Sequence, residues 1–162
     1  IEPSCLLTFT DEYQKLKNVN NREKIKNKFY LLEEFILEQI KNDNKVKTNK
    51  FDQNVLIHGH CHQKSQDRMK GLMSLLSELK INNKMIESSC CGMAGSFGYD
   101  SKNYEVSKKM ANLSLIPAIN NSDEADFIIA NGTSCRHQIS DLSHKKGKHV
   151  SELLFKIFET VN

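Results

Sequence analysis

The sequence predicts an α/β fold in which a parallel sheet carries helices on both faces. Three short apolar runs are too short for buried helices and predict strands at Val55–Ile57, Lys84–Ile86 and Phe127–Ala130. Residues with helical periodicity follow each run, and this alternation of strand and helix is typical of parallel sheets. The length of 162 residues suits one compact domain. We therefore expect a Rossmann-like arrangement.

The predicted helices come from apolar residues at helical spacing. In the first helix, Ile25, Phe29, Leu32, Ile36 and Ile40 form the apolar stripe, and Glu and Lys occupy the other faces. A polar loop is expected to follow it, at Asn42–Gln53. The helices are expected at Asn20–Lys41, Gln63–Leu79, Ser101–Ala111, Cys135–Leu142 and His149–Thr160, with Pro117 interrupting or restarting the helix after the third.

Composition excludes several classes of function. The net charge is only +3, from 23 basic and 20 acidic residues, and the basic clusters Lys45–Lys50 and Lys145–Lys148 are interpreted as solvated loops rather than a nucleic-acid surface. No apolar run approaches the roughly 20 residues of a membrane-spanning helix. Ile1–Cys5 lacks the features of a signal peptide, so a cytoplasmic location is expected. Because this opening has no initiator Met and no preceding strand, the chain is interpreted as a piece of a longer polypeptide.

Four of the five cysteines follow the predicted strands directly: Cys61, Cys90, Cys91 and Cys135. The carboxyl ends of parallel strands lie along one edge of a sheet, where α/β proteins bind ligands, so these thiols are expected to converge. Convergent thiols in a reducing compartment suit an iron–sulfur cluster or zinc. The alternative interpretation is that they are ordinary buried cysteines.

Glycines follow the adjacent cysteine pair at positions 92, 95 and 98. Glycine allows the backbone to approach a bulky group closely, and backbone amides in such a turn donate to thiolate or sulfide. A Cys-Cys pair in a glycine-rich loop is a poor way to fill a core. This pattern therefore favours an inorganic cofactor over simple packing.

Three motifs carry a resemblance to a known family. They are His58-Gly59-His60-Cys61-His62-Gln63-Lys64, the segment Cys90-Cys91-Gly92-Met93-Ala94-Gly95-Ser96-Phe97-Gly98-Tyr99, and Gly132-Thr133-Ser134-Cys135-Arg136-His137-Gln138-Ile139. The chain resembles the cysteine-rich CCG domain of iron–sulfur oxidoreductases such as the heterodisulfide reductases and the iron–sulfur component of glycolate oxidase. The resemblance is strongest to the C-terminal region of FAD-linked oxidases of the D-lactate and D-2-hydroxyglutarate dehydrogenase type.

The resemblance implies two units, because the family usually carries two. Residues 1–50 would be the tail of a first CCG unit, including its closing cysteine Cys5, with a connecting helix, and residues 51–162 would be the second unit. In the heterodisulfide reductase branch each unit ends in Cys-x-x-Cys, whereas Cys135 is followed by Arg136-His137-Gln138. The five-thiolate non-cubane cluster of that branch is therefore not expected. The four cysteines of the second unit are enough for an ordinary 4Fe-4S cluster, and Cys5 or His137 could also complete a site.

The implied function is electron transfer in a 2-hydroxyacid oxidoreductase of the D-lactate, glycolate or D-2-hydroxyglutarate type. FAD would lie in another domain, ferredoxin-type domains would be partners, and electrons would pass to a quinone or another carrier. Peripheral association with the inner face of the membrane would fit a quinone acceptor. The alternatives are a structural zinc module and a metal-free scaffold that covers the flavin site.

Other polar residues of the motifs have several possible roles. His58, His60 and His62 alternate around Cys61, and on an extended segment they would point to one side, with Cys61 on the other. They are candidates for metal ligation, for hydrogen bonds to cluster sulfur, or for facing a flavin or a substrate carboxylate. Arg136 is a candidate for the same anionic groups. Local hydrogen bonding at a strand-to-helix turn remains the simpler alternative.

Overall fold

A computed structural model describes residues 2–17, 20–26, 28–42, 46–124 and 126–158. Within these residues the strands are β1 (Val55–His58), β2 (Asn83–Met85) and β3 (Phe127–Ala130). The α-helices are α1 (Pro3–Leu7), α2 (Arg22–Lys26), α3 (Leu32–Asn42), α4 (Cys61–Ser65), α5 (Met69–Glu78), α6 (Tyr104–Asn112), α7 (Leu115–Asn120), α8 (Thr133–Leu142) and α9 (Val150–Phe158). None of the helices in the described ranges is long and apolar enough to cross a membrane.

The three strands form one parallel sheet in the order β2-β1-β3. Val55 pairs with Asn83 on one side and with Phe127 on the other, so the strands start level and end at the same edge. This arrangement confirms the predicted parallel sheet. Each of the loops that follow the strands therefore opens at the same end of the molecule.

Helices cover both faces of the sheet, as predicted, because alternate residues of β1 and β3 point to opposite sides. One face packs against α3, α5 and α9 through Val55, Ile57, Phe127 and Ile129. The other face packs against α6, α7 and α8 through Leu56, Ile128 and Ala130. Both faces are apolar, which explains why β3 reads as a continuous apolar run rather than an alternating one.

Two of the predicted helices are each two helices in the structure. The predicted helix Asn20–Lys41 consists of α2 and α3, and Leu31 between them is buried. The predicted helix Gln63–Leu79 consists of α4 and α5. Between these, Asp67 has a φ of 56°, and this left-handed conformation is incompatible with a continuous right-handed helix. Apolar periodicity continues across both breaks, which is why the sequence pattern alone joins the segments.

Other sequence predictions differ in detail. Of the two alternatives for Pro117, the structure has the restarted helix: α7 begins at Leu115 and Pro117 lies in its first turn, where a missing N–H costs little. Lys148, in the predicted basic loop, pairs with β3: its N–H donates to Ile128 O and its carbonyl accepts from Ala130 N, both at 2.8 Å. The predicted polar loop is irregular at residues 46–53, and its residues 43–45 lie outside the described ranges, as does Thr160.

Glu33 corrects the expected polarity of α3. The sequence pattern places Glu residues on the exposed faces of this helix, but Glu33 is only 1% exposed. It is hydrogen-bonded to polar side chains at the carboxyl edge of the sheet. Phe35 on the same helix is instead 48% exposed. The packing of α3 therefore turns one carboxylate inward.

The burial of every residue of β3 predicts a large effect of truncating its side chains. Ile129 is fully buried between the sheet and the α5 and α9 helices. Ile129→Ala should lower the free energy of unfolding by about 3 kcal/mol, because it removes apolar contacts and leaves a cavity. Urea denaturation followed by circular dichroism measures this. The matched control is Leu113→Ala, at a residue 76% exposed, with an expected change below about 0.5 kcal/mol. Equal losses in the two variants would contradict the described core.

Candidate metal centre

The cysteine-bearing segments all start where a strand ends. Cys61 is the first residue of α4, Cys90 and Cys91 lie in the loop after β2, and Cys135 lies in the first turn of α8. Cys91 and Cys135 are buried, whereas Cys61 and Cys90 are partly exposed. The parallel sheet thus brings thiols from three separate parts of the chain to one edge.

The centre of this group is a cluster of three buried side chains. His58, Cys91 and Cys135 each have a possible ligand atom, and these atoms lie within 4.8 Å of one another. His58 Nδ1 is hydrogen-bonded to Ser88 Oγ at 2.8 Å. Its Nε2 is buried and has no hydrogen-bond partner among the described residues. Because Ser88 occupies Nδ1, Nε2 is the nitrogen left for a metal ion or a cluster sulfur.

Cys91 and Cys135 are close enough to share a proton. A hydrogen bond from the Cys135 thiol lowers the pKa of Cys91 against the opposing effect of burial, and His58 and the Met93 N–H lower it further. The same hydrogen bond, together with burial, raises the pKa of Cys135. At neutral pH one thiolate is therefore favoured on this pair. A preformed thiolate is the form that ligates soft metals.

Cys61 and Cys90 form a second, more exposed pair beside this cluster. Burial, followed by the neighbouring Cys90, raises the pKa of Cys61 to about 11. Cys90 Sγ accepts a hydrogen bond from the backbone N–H of Gly92 at 3.3 Å. Charge on Cys61 and Cys90 also contributes to the raised pKa of Cys135. The four thiols thus interact electrostatically, and deprotonating all of them would require a cation among them.

The loop after Cys91 is fixed by close backbone contact. Gly92 has a φ of 91°, and an added Cβ would overlap the carbonyl oxygen of Ser107. Gln138 Nε2 donates to Cys91 O and to Ser107 Oγ, each at 2.9 Å. Gln138 and Ser107 are both buried, so this hydrogen-bonded bridge ties the cysteine loop to α6 and α8.

The histidines do not follow the extended pattern expected from their alternation. That expectation is wrong because the chain turns into α4 at Cys61, so His62 is helical. His60 caps this helix: its Nδ1 accepts a hydrogen bond from the His62 N–H at 3.2 Å. The His60 ring also lies against Gly132, where an added Cβ would overlap it. His60 therefore packs between the loops that carry Cys61 and Cys135.

The remaining candidates lie outside the three-residue cluster. His137 is exposed and is hydrogen-bonded through Nδ1 to the Tyr99 hydroxyl at 2.8 Å. Arg136 Nη1 donates to Ala130 O at 3.0 Å and to Asn131 O at 2.7 Å, so its guanidinium holds the end of β3. Cys5 is exposed on α1.

Several residues that support the site were missed by the sequence analysis. Ser88 orients His58, and Lys64 donates its ammonium protons to the carbonyls of Ser88 and Ser89. Lys64 belongs to the His-Gly-His-Cys-His-Gln-Lys motif, so the sequence contained a signal that could have identified it as a residue of the site. Ser88 lies outside every motif, and its role depends on the distance between two strand ends.

Residues 55–140 match the sequence profile of the CCG cysteine-rich domain. The chain belongs to this family. The matched segment runs from the start of β1 into α8, so it contains all three strands and the four cysteines that follow them.

The chain is also similar to parts of longer curated proteins. It is 22% identical over 158 residues to a D-2-hydroxyglutarate dehydrogenase of Pseudomonas putida KT2440, covering 96% of this chain and 15% of that protein. It is 23% identical over 152 residues to one of the subunits of the anaerobic glycerol-3-phosphate dehydrogenase of Escherichia coli K12, covering 93% of this chain and 38% of that protein. A D-2-hydroxyglutarate dehydrogenase of Haemophilus influenzae Rd is 24% identical over 169 residues, with 98% of this chain and 16% of that protein covered. No solved structure matches the chain.

Two glycines of the cysteine loop allow a matched test of its backbone. Gly95 has a φ of 70° and open space around it, so Gly95→Ala should cost only the left-handed backbone strain of about 1 kcal/mol. Gly92→Ala adds a collision with the Ser107 carbonyl and should cost about 3 kcal/mol or more. Chemical denaturation measures both. If the two variants lose the same stability, the close approach of Gly92 to α6 is wrong.

Glu2 supports the start of α8. Its carboxylate accepts hydrogen bonds from Thr133 Oγ1 at 2.6 Å and from Arg136 Nη2 at 3.4 Å. Burial alone would raise the pKa of Glu2, but the Thr133 hydrogen bonds and the Arg136 charge outweigh burial, so the pKa is lowered from 4.5. The ionised carboxylate therefore stabilises the folded chain.

This lowered pKa predicts a pH-dependent effect of Glu2→Gln. The stabilisation should be fully present above pH about 4.5 and lost as the pH falls through the lower pKa of the folded state. At pH 7 the variant should lose about 1 kcal/mol, and the difference from the unsubstituted chain should shrink below pH 4. Denaturation across this pH range measures it, with the exposed Glu87→Gln as the control. A difference that stays constant down to pH 3 would refute the assignment.

Proposed function

We propose that this chain is an iron–sulfur electron-transfer domain whose cluster is held by Cys61, Cys90, Cys91 and Cys135. The observation that carries the proposal is the buried His58–Cys91–Cys135 cluster, with two further thiols beside it, at the carboxyl edge of a parallel sheet. Membership of the CCG cysteine-rich family supports the same conclusion. Four thiolates are the usual ligand set of a 4Fe-4S cluster.

The donor set of the site fits such a cluster. All four candidate ligands are sulfur, the softest donor in proteins, and the cysteines interact closely enough to shift one another's pKa values. The buried Nε2 of His58 has no partner among the described residues, and a cluster sulfur or a metal ion would supply one. When bound, the cluster supplies reversible one-electron transfer.

The chain's own groups would compensate the negative charge of the thiolates. The N–H of Gly92 donates to Cys90, and the N–H of Met93 donates to Cys91. Lys64 lowers the pKa of Cys61, against the larger effect of burial. Such donors and charges set the reduction potential of a thiolate-bound cluster, and the burial of Cys91 and Cys135 keeps water away.

The wider context proposed is an FAD-linked 2-hydroxyacid oxidoreductase. Two of the relatives are dehydrogenases of a 2-hydroxy acid, and the chain spans 15% to 38% of the curated relatives described above, which leaves room for other domains. In this arrangement the domain carries electrons from a flavin domain, by way of ferredoxin-type clusters, toward a quinone at the inner face of the membrane. Residues 1–50 would then end a first CCG unit, and residues 51–162 would form the second.

A structural zinc site is the second candidate, and one observation favours it. The ligand atoms of His58, Cys91 and Cys135 lie within 4.8 Å of one another. Two sulfurs bound to one tetrahedral zinc lie about 3.8 Å apart, as follows from a Zn–S bond of about 2.3 Å. The cluster is therefore compact enough for a single ion, with Cys61 or Cys90 as the fourth ligand.

Metal analysis of the anaerobically purified full chain tests these proposals. We expect about four iron and four sulfide per chain, beyond any separate ferredoxin-type clusters, with brown visible absorption. Cys91→Ser and Cys135→Ser should each lose most of this iron, because a hydroxyl is a poor ligand for the cluster. Cys5→Ser is the matched control and should keep it, because Cys5 is exposed on α1.

The other outcomes favour the alternatives. One zinc per chain in a colourless protein, lost in Cys135→Ser, would favour the structural site. Neither iron nor zinc above background, with unchanged assembly of the cysteine variants, would refute both metal proposals and leave a scaffold that covers the flavin site.

A further inference from the structure

A buried carboxylate lies between two of the cysteine-bearing loops. Glu33 Oε1 accepts hydrogen bonds from Gln63 Nε2 at 2.7 Å and from Asn131 Nδ2 at 3.0 Å. All three side chains are at most 2% exposed. Gln63 belongs to the α4 helix, which begins at Cys61, and Asn131 directly follows β3. One oxygen atom thus joins segments that are 68 residues apart in the sequence.

The orientation of Asn131 is fixed by a third segment. Its Oδ1 accepts a hydrogen bond from the backbone N–H of Val150 at 3.1 Å, at the start of α9. A backbone N–H cannot accept, so the amide oxygen must face Val150 and the NH2 group must face Glu33. Position 33 therefore has to supply an acceptor. The backbone N–H of Glu33 also donates to its own carboxylate, which makes three donors.

From this geometry we infer that Glu33 is a positioning residue that holds the Cys61 loop and the Cys135 loop at a fixed separation. Where a bound metal is concerned, the inference rests on the proposed function. Among the described residues Glu33 acts on the cysteine loops through Gln63, two residues after Cys61, and through Asn131, four residues before Cys135. It lies in the first turn of α3, where a helix N-terminus favours negative charge, but burial raises the pKa of its carboxyl group.

An acceptor oxygen is required at this position, because Gln63 and Asn131 both donate to the same atom, Glu33 Oε1. Glu33→Leu removes this oxygen and leaves both buried amide groups without an acceptor from position 33. The expected result is a loosening of the two loops relative to each other. Glu33→Gln keeps one amide oxygen, which can take the place of Oε1 and accept both hydrogen bonds, so this variant should retain most of the tie.

The neighbouring Glu34 provides a matched control. It lies on the same helix, but its Oε2 accepts from Arg68 Nη1 at 3.2 Å and from the Leu31 N–H at 3.0 Å. Neither partner belongs to a loop that carries a cysteine. Glu34→Leu therefore removes a carboxylate from the same helix without removing the proposed tie.

The first measurement uses the full chain, freed of metal with a chelator and kept reduced. Alkylation by iodoacetamide is followed for each cysteine by mass spectrometry, at a temperature at which every variant is folded by circular dichroism. Glu33→Leu should raise the alkylation rate of the buried Cys135 about tenfold, which corresponds to the net loss of about one buried hydrogen bond. Glu34→Leu should stay within about twofold of the unsubstituted chain.

The second measurement titrates the same proteins with Co²⁺, whose thiolate charge-transfer absorption reports tetrahedral sulfur coordination. Glu33→Leu should weaken Co²⁺ binding by about 10-fold to 100-fold, as is usual for residues that orient metal ligands. Glu33→Gln, which removes the charge but keeps an acceptor oxygen, should retain most of the affinity and of the protection of Cys135. Loss of the carboxylate charge alone would not explain this difference.

The two measurements separate this inference from the proposed function. If the unsubstituted chain binds neither Co²⁺ nor iron, the metal proposal fails, and the alkylation of Cys135 still tests Glu33. Equal effects of Glu33→Leu and Glu34→Leu on Cys135 would overturn the inference. So would a loss in Glu33→Gln as large as in Glu33→Leu, since the hydrogen bonds accepted at position 33 would then not be the cause.

Discussion

The parallel alignment of three short strands is the constraint on which the rest of this structure depends. Because β1, β2 and β3 run in the same direction and in register, the residues that follow them meet at one edge. Cysteines on three segments, 29 to 74 residues apart in the sequence, thereby become neighbours. The two apolar layers beneath them keep this edge fixed, since β1 and β3 are packed on both faces.

Four neighbouring thiolates at one edge of the sheet would repel one another, and nearby groups of the chain reduce this repulsion. The hydrogen bond from the Cys135 thiol lowers the pKa of Cys91 and raises that of Cys135, so the two buried thiols are not favoured as thiolates together. The Gly92 N–H donates to Cys90, and Lys64 partly offsets the burial that raises the pKa of Cys61. Several weak interactions thus each lower the free-energy cost of negative charge in this partly buried site.

Buried polar side chains hold the cysteine loops more directly than apolar packing does. Gln138 ties the Cys91 loop to α6, Ser88 orients His58, and Glu33 joins the other two loops. Hydrogen bonds are directional, whereas apolar contacts permit sliding, so a site that needs fixed ligand positions is expected to use them. Asn131 extends the same system to α9.

The sequence by itself determined the strands, their parallel order and the segments that carry cysteine, because apolar periodicity and short motifs are local properties. It did not reveal that Asp67 divides one helix, that Glu33 is buried, or that His60 caps α4. Each of these depends on what another part of the chain places nearby. Only the tertiary structure decided that His58, rather than His137, lies with the buried cysteines, because β1 delivers His58 to the interior and α8 turns His137 toward solvent.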